Sequence, residues 1–482
     1  MSRDFSPREF RSWGNACVER LARYFETVET RPVLARTKPG DVLRALPSGA
    51  PEEPEEWDAI ERDLDALIEP NMTHWQHPGY FAYFANSGSV PGVLGDFLAA
   101  GYNQTGILWR TSPVLTELEQ GTVGWLRDLV GLPPSFDGQL ADTASSATLI
   151  ALTAAREQAF PDVRKTGLAG RPRGVVYASE LAHSSIHKAC VVLGLGLDGL
   201  SLIPTDEEFR MDPRLLEEAI ARDRALGHVP IAVVACAGTT SVSSVDPLPA
   251  IAQLCEREGI WLHVDAAYAG SAAVLPAVRP LLAGWERADS VVFNPHKWMF
   301  VPLECTALLF RGMERVRRAF SVVPTYLETP EGAGGTGSVR EYMDYGIQLG
   351  RRFRALKMWM TLRLFGARGI RERIRHHLDL TQRLAAGLSA DAGFSLVAPV
   401  PFSLVVFRVT APGLSPEAED GLNRRILETL NEEGRSFVSH TVLRGRYVLR
   451  AAIGSLRTEE EHVDRLLHDL QSARRELLAQ GS

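Results

Sequence analysis

The chain has 482 residues, which suggests two or three domains around a large core. Hydrophobic residues make up 45% and charged residues 23%, which excludes a disordered, collagen-like or coiled-coil chain. The formal net charge of -7 argues against binding to nucleic acid or to an anionic membrane, because both need clustered cationic charge. Small metabolites are the expected partners.

The cysteines and the N-terminus indicate a soluble, cytoplasmic protein. The five cysteines are scattered and form no CxxC pair, so we expect neither a disulfide framework nor a metal site. The first residues lack the apolar core of a signal peptide, and no apolar run is long enough to span a bilayer.

The N-terminal region is predicted to be a helical arm, residues 1–89. Ser6-Pro7 is typical of a helix start, and the amphipathic pattern continues to about Thr27. A proline-punctuated linker leads to a second helical pattern over residues 57–68. Such a segment buries little alone, so we expect it to pack against something larger, such as another subunit.

The pattern changes at about residue 90, where short β-rich runs begin to alternate with helical stretches. This alternation is typical of βαβ units and predicts an α/β domain with a mainly parallel sheet, residues 90–369. Residues 370–482 are predicted to form a small α+β domain. The clearest predicted strands are 174–178, 231–236, 260–264 and 290–293; helices are predicted over 353–364, 370–388, 416–431 and 459–478, and a further strand over 404–409.

Two predicted strands end in unusual polar residues. Asp265 follows strand 260–264, and Lys297 lies in the stretch NPHKW that follows strand 290–293. Ligands of α/β proteins bind outside the carboxyl ends of such strands. We therefore expect the carboxylate and the amine to face one crevice.

Lys297 is the candidate nucleophile, because it is the one lysine of five that follows a predicted strand. A lysine among apolar and aromatic residues can have a lowered pKa, and its neutral amine attacks carbonyl groups to form a Schiff base. A structural ion pair with Asp265 is the alternative interpretation. Pyridoxal phosphate uses both groups, since its aldehyde takes the lysine and an acid pairs with its ring nitrogen.

A phosphate group needs a third site, and one helix start offers it. Thr143, Ala144 and Ser145 open a helical run and present hydroxyls and backbone N–H groups at the positive helix end. Simple helix capping is the alternative. Thr240, Asn294 and His296, at neighbouring strand ends, are candidates to complete the cradle.

The motifs together resemble the group II pyridoxal-phosphate decarboxylases, and most closely the aromatic-L-amino-acid decarboxylases. The similarity covers nearly the whole chain, in order. Its motifs are EFR at 9–11, THW at 73–75, FAYF at 81–84, AHSS at 182–185, HVDAAYAG at 263–270, NPHKW at 294–298, PTYL at 324–327 and LGRRFR at 349–354.

This resemblance implies the fold of the type I pyridoxal-phosphate enzymes and a homodimer. It also implies decarboxylation of an aromatic L-amino acid (tryptophan, tyrosine, phenylalanine or dihydroxyphenylalanine) to the arylalkylamine. Lys297 would bond to the cofactor, Asp265 would pair with the ring nitrogen and His183 would stack on the ring. By the same resemblance Ala267 contacts the cofactor, and the substrate pocket contains Trp75, Tyr83, Phe84, Thr105 and Ile107.

Tyr326 is the candidate acid that protonates Cα after carbon dioxide leaves. It precedes the glycine-rich stretch EGAGGTG at 331–337, which suits a lid that excludes water. In the resembling family this tyrosine separates decarboxylases from aldehyde-forming relatives, which carry phenylalanine. An aldehyde synthase, or a decarboxylase of another amino acid such as histidine, is the alternative function.

The sequence also departs from the family. Asp142 stands where relatives commonly carry glycine, just before the phosphate-binding hydroxyl. Its charge would repel a phosphate if the side chain pointed inward. Asn86, Thr105 and Ile107 also differ from close or animal relatives, so substrate preference does not transfer.

Three other functions compete with this interpretation. Residues 194–199 match GxGxxG, but the predicted helix before and strand after them are the reverse of what a dinucleotide-binding NAD enzyme needs. His183 and His187 have zinc-pair spacing, but the catalytic glutamate of HExxH is replaced by Ser184. A catalytically dead binding module is disfavoured by the complete set of His183, Asp265, Lys297 and Tyr326.

Overall fold

The computed structural model describes residues 4–322, 325–327, 329–333 and 339–480. These residues divide into two compact units. The first contains the described residues of 1–85, 386–395 and 407–482, and the second contains those of 86–385 and 396–406. The three-part division into 1–89, 90–369 and 370–482 stays a prediction.

Eleven strands are described, in two sheets. Those of the large sheet are β1 (Phe136–Ala141), β2 (Gly174–Ser179), β3 (Leu200–Ile203), β4 (Val229–Cys236), β5 (Trp261–Asp265), β6 (Ser290–Phe293) and β7 (Thr306–Arg311). Those of the small sheet are β8 (Phe394–Leu396), β9 (Leu404–Val409), β10 (Ser439–Leu443) and β11 (Arg446–Ala452).

The described helices connect and cover these strands. The first eight are α1 (Pro7–Thr27), α2 (Asp41–Ala45), α3 (Trp57–Asp63), α4 (Val90–Tyr102), α5 (Pro113–Val130), α6 (Ala144–Ala159), α7 (Val163–Thr166) and α8 (Ser185–Val192). The others are α9 (Pro213–Ala225), α10 (Leu248–Glu258), α11 (Pro295–Trp298), α12 (Met313–Phe320), α13 (Pro330–Ala333), α14 (Arg354–Ser389), α15 (Pro416–Glu433) and α16 (Glu460–Gln480).

The large sheet has the order β1-β7-β6-β5-β4-β2-β3. The pairs from β6 to β3 are parallel, and β7 runs antiparallel to both of its neighbours, β1 and β6. The parallel strands β2, β4, β5 and β6 are buried almost throughout, which explains their continuous apolar runs. The α/β fold with a mainly parallel sheet is confirmed.

Helix α6 packs on this sheet and supplies its main apolar contact. Its buried face, which includes Ala147, Ile150, Ala151 and Ala154, joins one core cluster with residues of β2, β4, β6 and β7. Small alanines let the helix axis lie close to the strands. This packing fixes the position of the amino end of α6 relative to the sheet edge.

The small sheet has the order β10-β11-β9-β8, and its β10–β11 pair is antiparallel. The predicted helix at the N-terminus is confirmed, with a capping box in which Glu9 N–H donates to the Ser6 hydroxyl (3.3 Å) and Ser6 N–H donates to the Glu9 carboxylate (2.8 Å). The predicted 57–68 helix continues past α3 as a π-helix, Leu64–Ile68.

The two helices predicted over 353–364 and 370–388 are joined in α14. Gly366 sits between them with φ +66° and ψ +164°, a conformation in which the helix is kinked. Strands β1 and β7 were not predicted. Among the described residues, no helix combines the length and apolar composition that crossing a bilayer requires.

Candidate active site

Two of the predicted catalytic residues, Asp265 and Lys297, lie at the carboxyl edge of the large sheet. Cys236 at the end of β4 pairs with Asp265 at the end of β5, and Asp265 pairs with Val292 of β6. The chain leaves β6 through Asn294 into the short helix α11, which carries Lys297. Strand order and register therefore bring the predicted acid and amine to the same edge.

Asp265 is buried and held by backbone contacts on both sides. Its Oδ1 accepts a hydrogen bond from the Ala267 N–H (3.0 Å), and its main-chain oxygen accepts one from the Ala237 N–H (2.8 Å). Ala267 in turn accepts a hydrogen bond from the Asn294 N–H (2.9 Å). The acid is thus fixed between the two neighbouring strand ends.

Lys297 is half-buried at this edge. Burial lowers the pKa of its amine, and the Asp265 carboxylate opposes that shift. The Lys297 amine and the Asp265 carboxylate therefore interact electrostatically, as both the ion-pair and the cofactor interpretations require. The direction of the shift favours the second, because the neutral amine is the nucleophilic form.

His183 precedes α8 and keeps an exposed ring. Its Nδ1 accepts the Ser185 N–H (3.2 Å), so in the neutral ring the proton sits on Nε2. Loss of hydration lowers its pKa, the Asp265 carboxylate opposes this shift, and the Lys297 ammonium adds to it. His183, Asp265 and Lys297 therefore form one electrostatic cluster.

The amino end of α6 remains available to a ligand. Thr143 is the N-cap residue, yet its side chain caps no N–H group of the helix. Thr143 and Ala144 are half-buried and Ser145 is exposed. The unpaired N–H groups and the dipole of this four-turn helix suit an anion.

The other residues predicted around the phosphate are fixed by the scaffold. Asn294 accepts a hydrogen bond through Oδ1 from the Thr306 hydroxyl (2.8 Å), and the same hydroxyl contacts the main-chain oxygen of Asp142 (2.9 Å). The Nδ1 of His296 pairs with the backbone of Cys305, and burial, followed by the Lys297 charge, lowers the pKa of His296 to about 4.

Thr240 is exposed in the loop after β4. The loop turns at Gly238, where φ is +98° and a Cβ atom would stand 2.6 Å from the Cβ of Ala269. Glycine is therefore required for the close approach of this loop to the segment after β5.

These features fit pyridoxal phosphate. The buried amine suits the aldehyde, the adjacent Asp265 suits a protonated ring nitrogen, and the open imidazole of His183 suits a flat ring. The uncapped end of α6 suits the phosphate. The aldehyde, the ring nitrogen, the ring face and the phosphate of the cofactor thus each have a candidate partner among the residues predicted from the sequence.

Sequence reasoning missed the residues that support Lys297. Trp298 is fully buried and stacks on Tyr268, with ring centroids 4.7 Å apart and an interplanar angle of 3°. Its indole N–H donates to Nδ1 of His377 (3.0 Å), and the Tyr268 hydroxyl bonds to Ser403. His377 is 79 residues from Trp298 in the chain, so no local signal identifies it.

The predicted aromatic substrate residues form a cluster within the first unit. Trp75 stacks on Tyr80 (4.5 Å between centroids) and lies 6.5 Å from Tyr83, which contacts the edge of Phe437 (6.1 Å). Phe84 is buried, and the Arg450 guanidinium lies 5.7 Å from its ring centroid. Burial lowers the pKa of Arg450 to about 10.

Tyr83 is exposed and has φ +52°, a value that non-glycine residues rarely adopt. Its N–H donates to the Ser439 hydroxyl (3.2 Å), which holds the segment in place. Strain of this kind is concentrated at functional sites.

Thr105 and Ile107 lie in a tight turn of the second unit. The Ile107 N–H donates to the main-chain oxygen of Thr105 (3.0 Å), and the Gly106 N–H donates to that of Arg351 (2.9 Å). Thr105 is exposed and Ile107 half-buried. The geometry leaves both side chains at the surface of this unit.

Tyr326 lies in a 3₁₀ turn, Thr325–Leu327, and is 78% exposed. In the predicted lid, Glu331 forms an ion pair with Arg110 (2.9 Å). Pro324 of the tyrosine motif and residues 334–337 of the lid lie outside the described residues.

The GxGxxG stretch at 194–199 has the wrong context for a dinucleotide. It follows helix α8 and leads through a 3₁₀ turn, Leu197–Gly199, into strand β3. The dinucleotide fingerprint requires a strand before the glycines and a helix after them.

Comparisons with known proteins agree with this geometry. Residues 39–410 match the pyridoxal-dependent decarboxylase conserved domain. Phenylacetaldehyde synthase of Arabidopsis thaliana is 39% identical over 463 residues, covering 94% of each chain. Tryptophan decarboxylase 2 of Oryza sativa subsp. japonica is 38% identical over 478 residues, covering 97% of this chain and 95% of that one. The crystal structure of Oryza sativa TDC with PLP and tryptamine has a TM-score of 0.96 and 35% identity, covering 99% of this chain and 100% of that one.

Proposed function

The chain belongs to the pyridoxal-dependent decarboxylase family, and from that premise we propose that it removes the α-carboxylate of an aromatic L-amino acid. The products are the arylalkylamine and carbon dioxide. The observation that carries the proposal is the cluster of His183, Asp265 and Lys297, in which burial lowers the pKa of the lysine beside a buried acid.

Pyridoxal phosphate, when bound, supplies an aldehyde and a protonated ring that accepts the electron pair left on Cα when carbon dioxide departs. Asp265 would hold the proton on the ring nitrogen. Lys297 would provide the amine that binds the aldehyde carbon, and burial lowers the pKa of this amine, which favours its neutral, nucleophilic form. His183 would cover the ring with its exposed imidazole.

Two groups of residues are proposed to bind the rest of the ligands. Thr143, Ala144, Ser145, Thr240, Asn294 and His296 hold the phosphate, with Ala267 beside the ring. Trp75, Tyr83 and Phe84 are proposed to contact the aromatic side chain of the substrate through their rings. Thr105 and Ile107 are also proposed to contact the substrate. The stacked rings of Trp75 and Tyr83 support an aromatic substrate over an acidic one.

Tyr326 is proposed to deliver the proton to Cα. Its side chain faces solvent, and we propose that it moves over the site when substrate binds. The second candidate function is an aldehyde synthase, which one relative's name supports at 39% identity. That reaction consumes dioxygen and water and releases aldehyde, carbon dioxide, ammonia and hydrogen peroxide.

Product analysis of the wild type and of Tyr326→Phe tests the proposal. The wild type should give amine and carbon dioxide in equal amounts from at least one of tryptophan, tyrosine, phenylalanine and dihydroxyphenylalanine. In Tyr326→Phe the missing acid should lower the amine yield and raise the yield of aldehyde and hydrogen peroxide. Tyr102→Phe, which changes a second exposed tyrosine outside the proposed site, is the matched control and should keep amine as the product.

Aldehyde as the main product of the wild type would favour the synthase. An unchanged amine yield in Tyr326→Phe would assign proton delivery to another group. Histidine should be included among the substrates, because turnover of histidine alone would contradict the aromatic pocket.

The proposal also includes a homodimer in a cytoplasmic setting. The N-terminal helix α1 has no buried residue within its own chain and exposes Phe10, Val18 and Leu21, which favours a partner subunit. All five cysteines are free thiols, and four of them are buried, as suits a reducing compartment. Light scattering of the purified protein tests the dimer.

A further inference from the structure

Asp142 places a carboxylate at the amino end of α6, next to the proposed phosphate site. Its Oδ1 accepts hydrogen bonds from the Thr143 N–H (2.6 Å) and from the Ser146 hydroxyl. Its Oδ2 accepts one from the Gln348 side-chain amide (3.3 Å). The carboxylate is therefore held at the helix end by three donors.

These contacts also orient the Thr143 hydroxyl. Ser146 has a single hydroxyl proton, and two of its partners, the Asp142 carboxylate and the main-chain oxygen of Thr143 (3.1 Å), can only accept it. The Ser146 oxygen, 3.2 Å from the Thr143 Oγ1, is then the acceptor of the Thr143 proton. In this arrangement the hydroxyl predicted to bind phosphate points its proton at Ser146.

The residues proposed to hold the phosphate carry little positive side-chain charge. Of the six residues proposed to hold the phosphate, five have uncharged side chains, and burial lowers the pKa of the sixth, His296, to about 4. At neutral pH that imidazole is uncharged. The helix end thus supplies most of the attraction, and a helix end is equivalent to roughly half a positive charge.

We propose that Asp142 weakens the binding of the cofactor's phosphate, so that this protein releases and exchanges its cofactor more readily than a chain with a neutral residue there would. This inference rests on the proposed function. Two effects act together: the carboxylate repels the phosphate at the same helix end, and Thr143 must break its bond to Ser146 before it can donate to the phosphate.

The test compares pyridoxal phosphate with pyridoxal, which lacks the phosphate, on apoprotein of the wild type and of Asp142→Asn. Asparagine keeps an acceptor for the Thr143 N–H and removes the charge. The Kd for pyridoxal phosphate, from a cofactor absorbance titration, should fall about three- to ten-fold. The Kd for pyridoxal should stay within about two-fold.

Glu157→Gln is the matched control, because it removes one negative charge near the carboxyl end of the same helix. It should change neither Kd. Asp142→Ser, which keeps a small acceptor, should reproduce the gain of Asp142→Asn and guards against a fault peculiar to one variant. Retained far-ultraviolet dichroism would show that each variant is folded.

An unchanged or higher Kd for pyridoxal phosphate in both Asp142 variants would overturn the inference. So would an equal gain for pyridoxal, since the effect would then not concern the phosphate. If the wild type binds both aldehydes and the Asp142 variants show no selective gain for pyridoxal phosphate, the inference is overturned and the proposed function stands. A wild type that binds neither overturns the proposed function as well.

Discussion

At the scale of single residues, the short helix α11 fixes the position of Lys297. The residue follows Asn294, Pro295 and His296, and its own N–H donates to the Asn294 main-chain oxygen (2.9 Å). The next residue, Trp298, is buried in the core. This single helical turn thus buries the Trp298 side chain and leaves the Lys297 amine at the sheet edge.

Replacing Lys297 with alanine should abolish turnover, because no other amine occupies this edge position in the described chain. Borohydride reduction of the cofactor-loaded wild type, followed by peptide mass spectrometry, should locate the cofactor on Lys297. The variant should carry no such label. Lys165→Ala, an exposed lysine of α7, is the control and should keep both label and activity.

Multiple turnovers in Lys297→Ala would contradict the assignment. So would labelling of a different lysine in the wild type. Failure of the wild type to be labelled at all would instead argue for the structural ion pair with Asp265.

At the scale of elements, α4 and α14 meet around a buried ion pair. Lys357 of α14 has no exposed surface, and its ammonium lies 3.0 Å from Asp96 of α4. Gly95 permits this approach, since a Cβ atom there would stand 2.5 Å from the Lys357 Cα. The Arg352 guanidinium lies 3.4 Å from the same Asp96, whose side chain is 21% exposed.

Removing the two partners of this pair should have unequal effects. Asp96→Asn leaves a buried ammonium without its counter-charge and should lower the free energy of unfolding by about 3–5 kcal/mol. Lys357→Met fills the same space with an apolar chain and leaves Asp96 with Arg352. It should cost less than about 2 kcal/mol.

Urea unfolding of both variants measures this difference. Equal destabilisation by the two substitutions would show that packing, and not the uncompensated charge, dominates the contact. A neutral effect of Asp96→Asn would show that water reaches the Lys357 ammonium.

Most strands of the large sheet were predictable from periodicity, but β1 and β7 were not. The apolar runs of β2, β4, β5 and β6 were found within two residues of their observed ends, because buried parallel strands are locally apolar. Strand β1 has the sequence FDGQLA, with a glycine that allows the Leu308 main-chain oxygen to approach. Its partner β7 owes its direction to tertiary pairing, which no local pattern encodes.

At the scale of the whole molecule, buried neutral histidines make stability depend on pH. Burial is the main cause that lowers the pKa of His77, His263 and His296 to about 4 each. An unfolded histidine titrates near about 6.5. Between these values the unfolded chain binds more protons than the folded one, so stability falls as the pH drops from about 6.5 toward about 4.

Each buried histidine should contribute up to about 3 kcal/mol to this loss. Urea midpoints of the apoprotein, measured between about pH 7.5 and about pH 4.5, should fall steeply below about pH 6.5. His263→Asn should make this dependence shallower, since its amide can replace the bond of Nδ1 to Ser290 (2.8 Å). His468→Asn, at an exposed position, should leave the dependence unchanged.

A flat midpoint over this range would contradict the burial of these rings. A steep dependence that His263→Asn does not alter would assign the effect to other groups.

From local patterns, the candidate site was predictable in its strand-end residues and at the start of α6, and His183 was predicted from the family resemblance. Asp265 and Lys297 stand out because each follows an apolar run. Their supports, such as His377 beneath Trp298 and Thr306 beside Asn294, come from distant segments. Such side chains can be identified only once the strand order is known, because hydrogen bonds between distant elements are not reflected in local composition.

The reversed strand β7 has a consequence for the order in which the protein matures. The Thr306 hydroxyl bonds to Asn294 and to the main-chain oxygen of Asp142, and Thr306 follows Asp142 by 164 residues in the chain. Contacts over such separations close slowly, because a long loop must first be ordered. A nascent chain that has left the ribosome only as far as β6 lacks this contact, so coenzyme loading is expected only after β7 (Thr306–Arg311) has emerged.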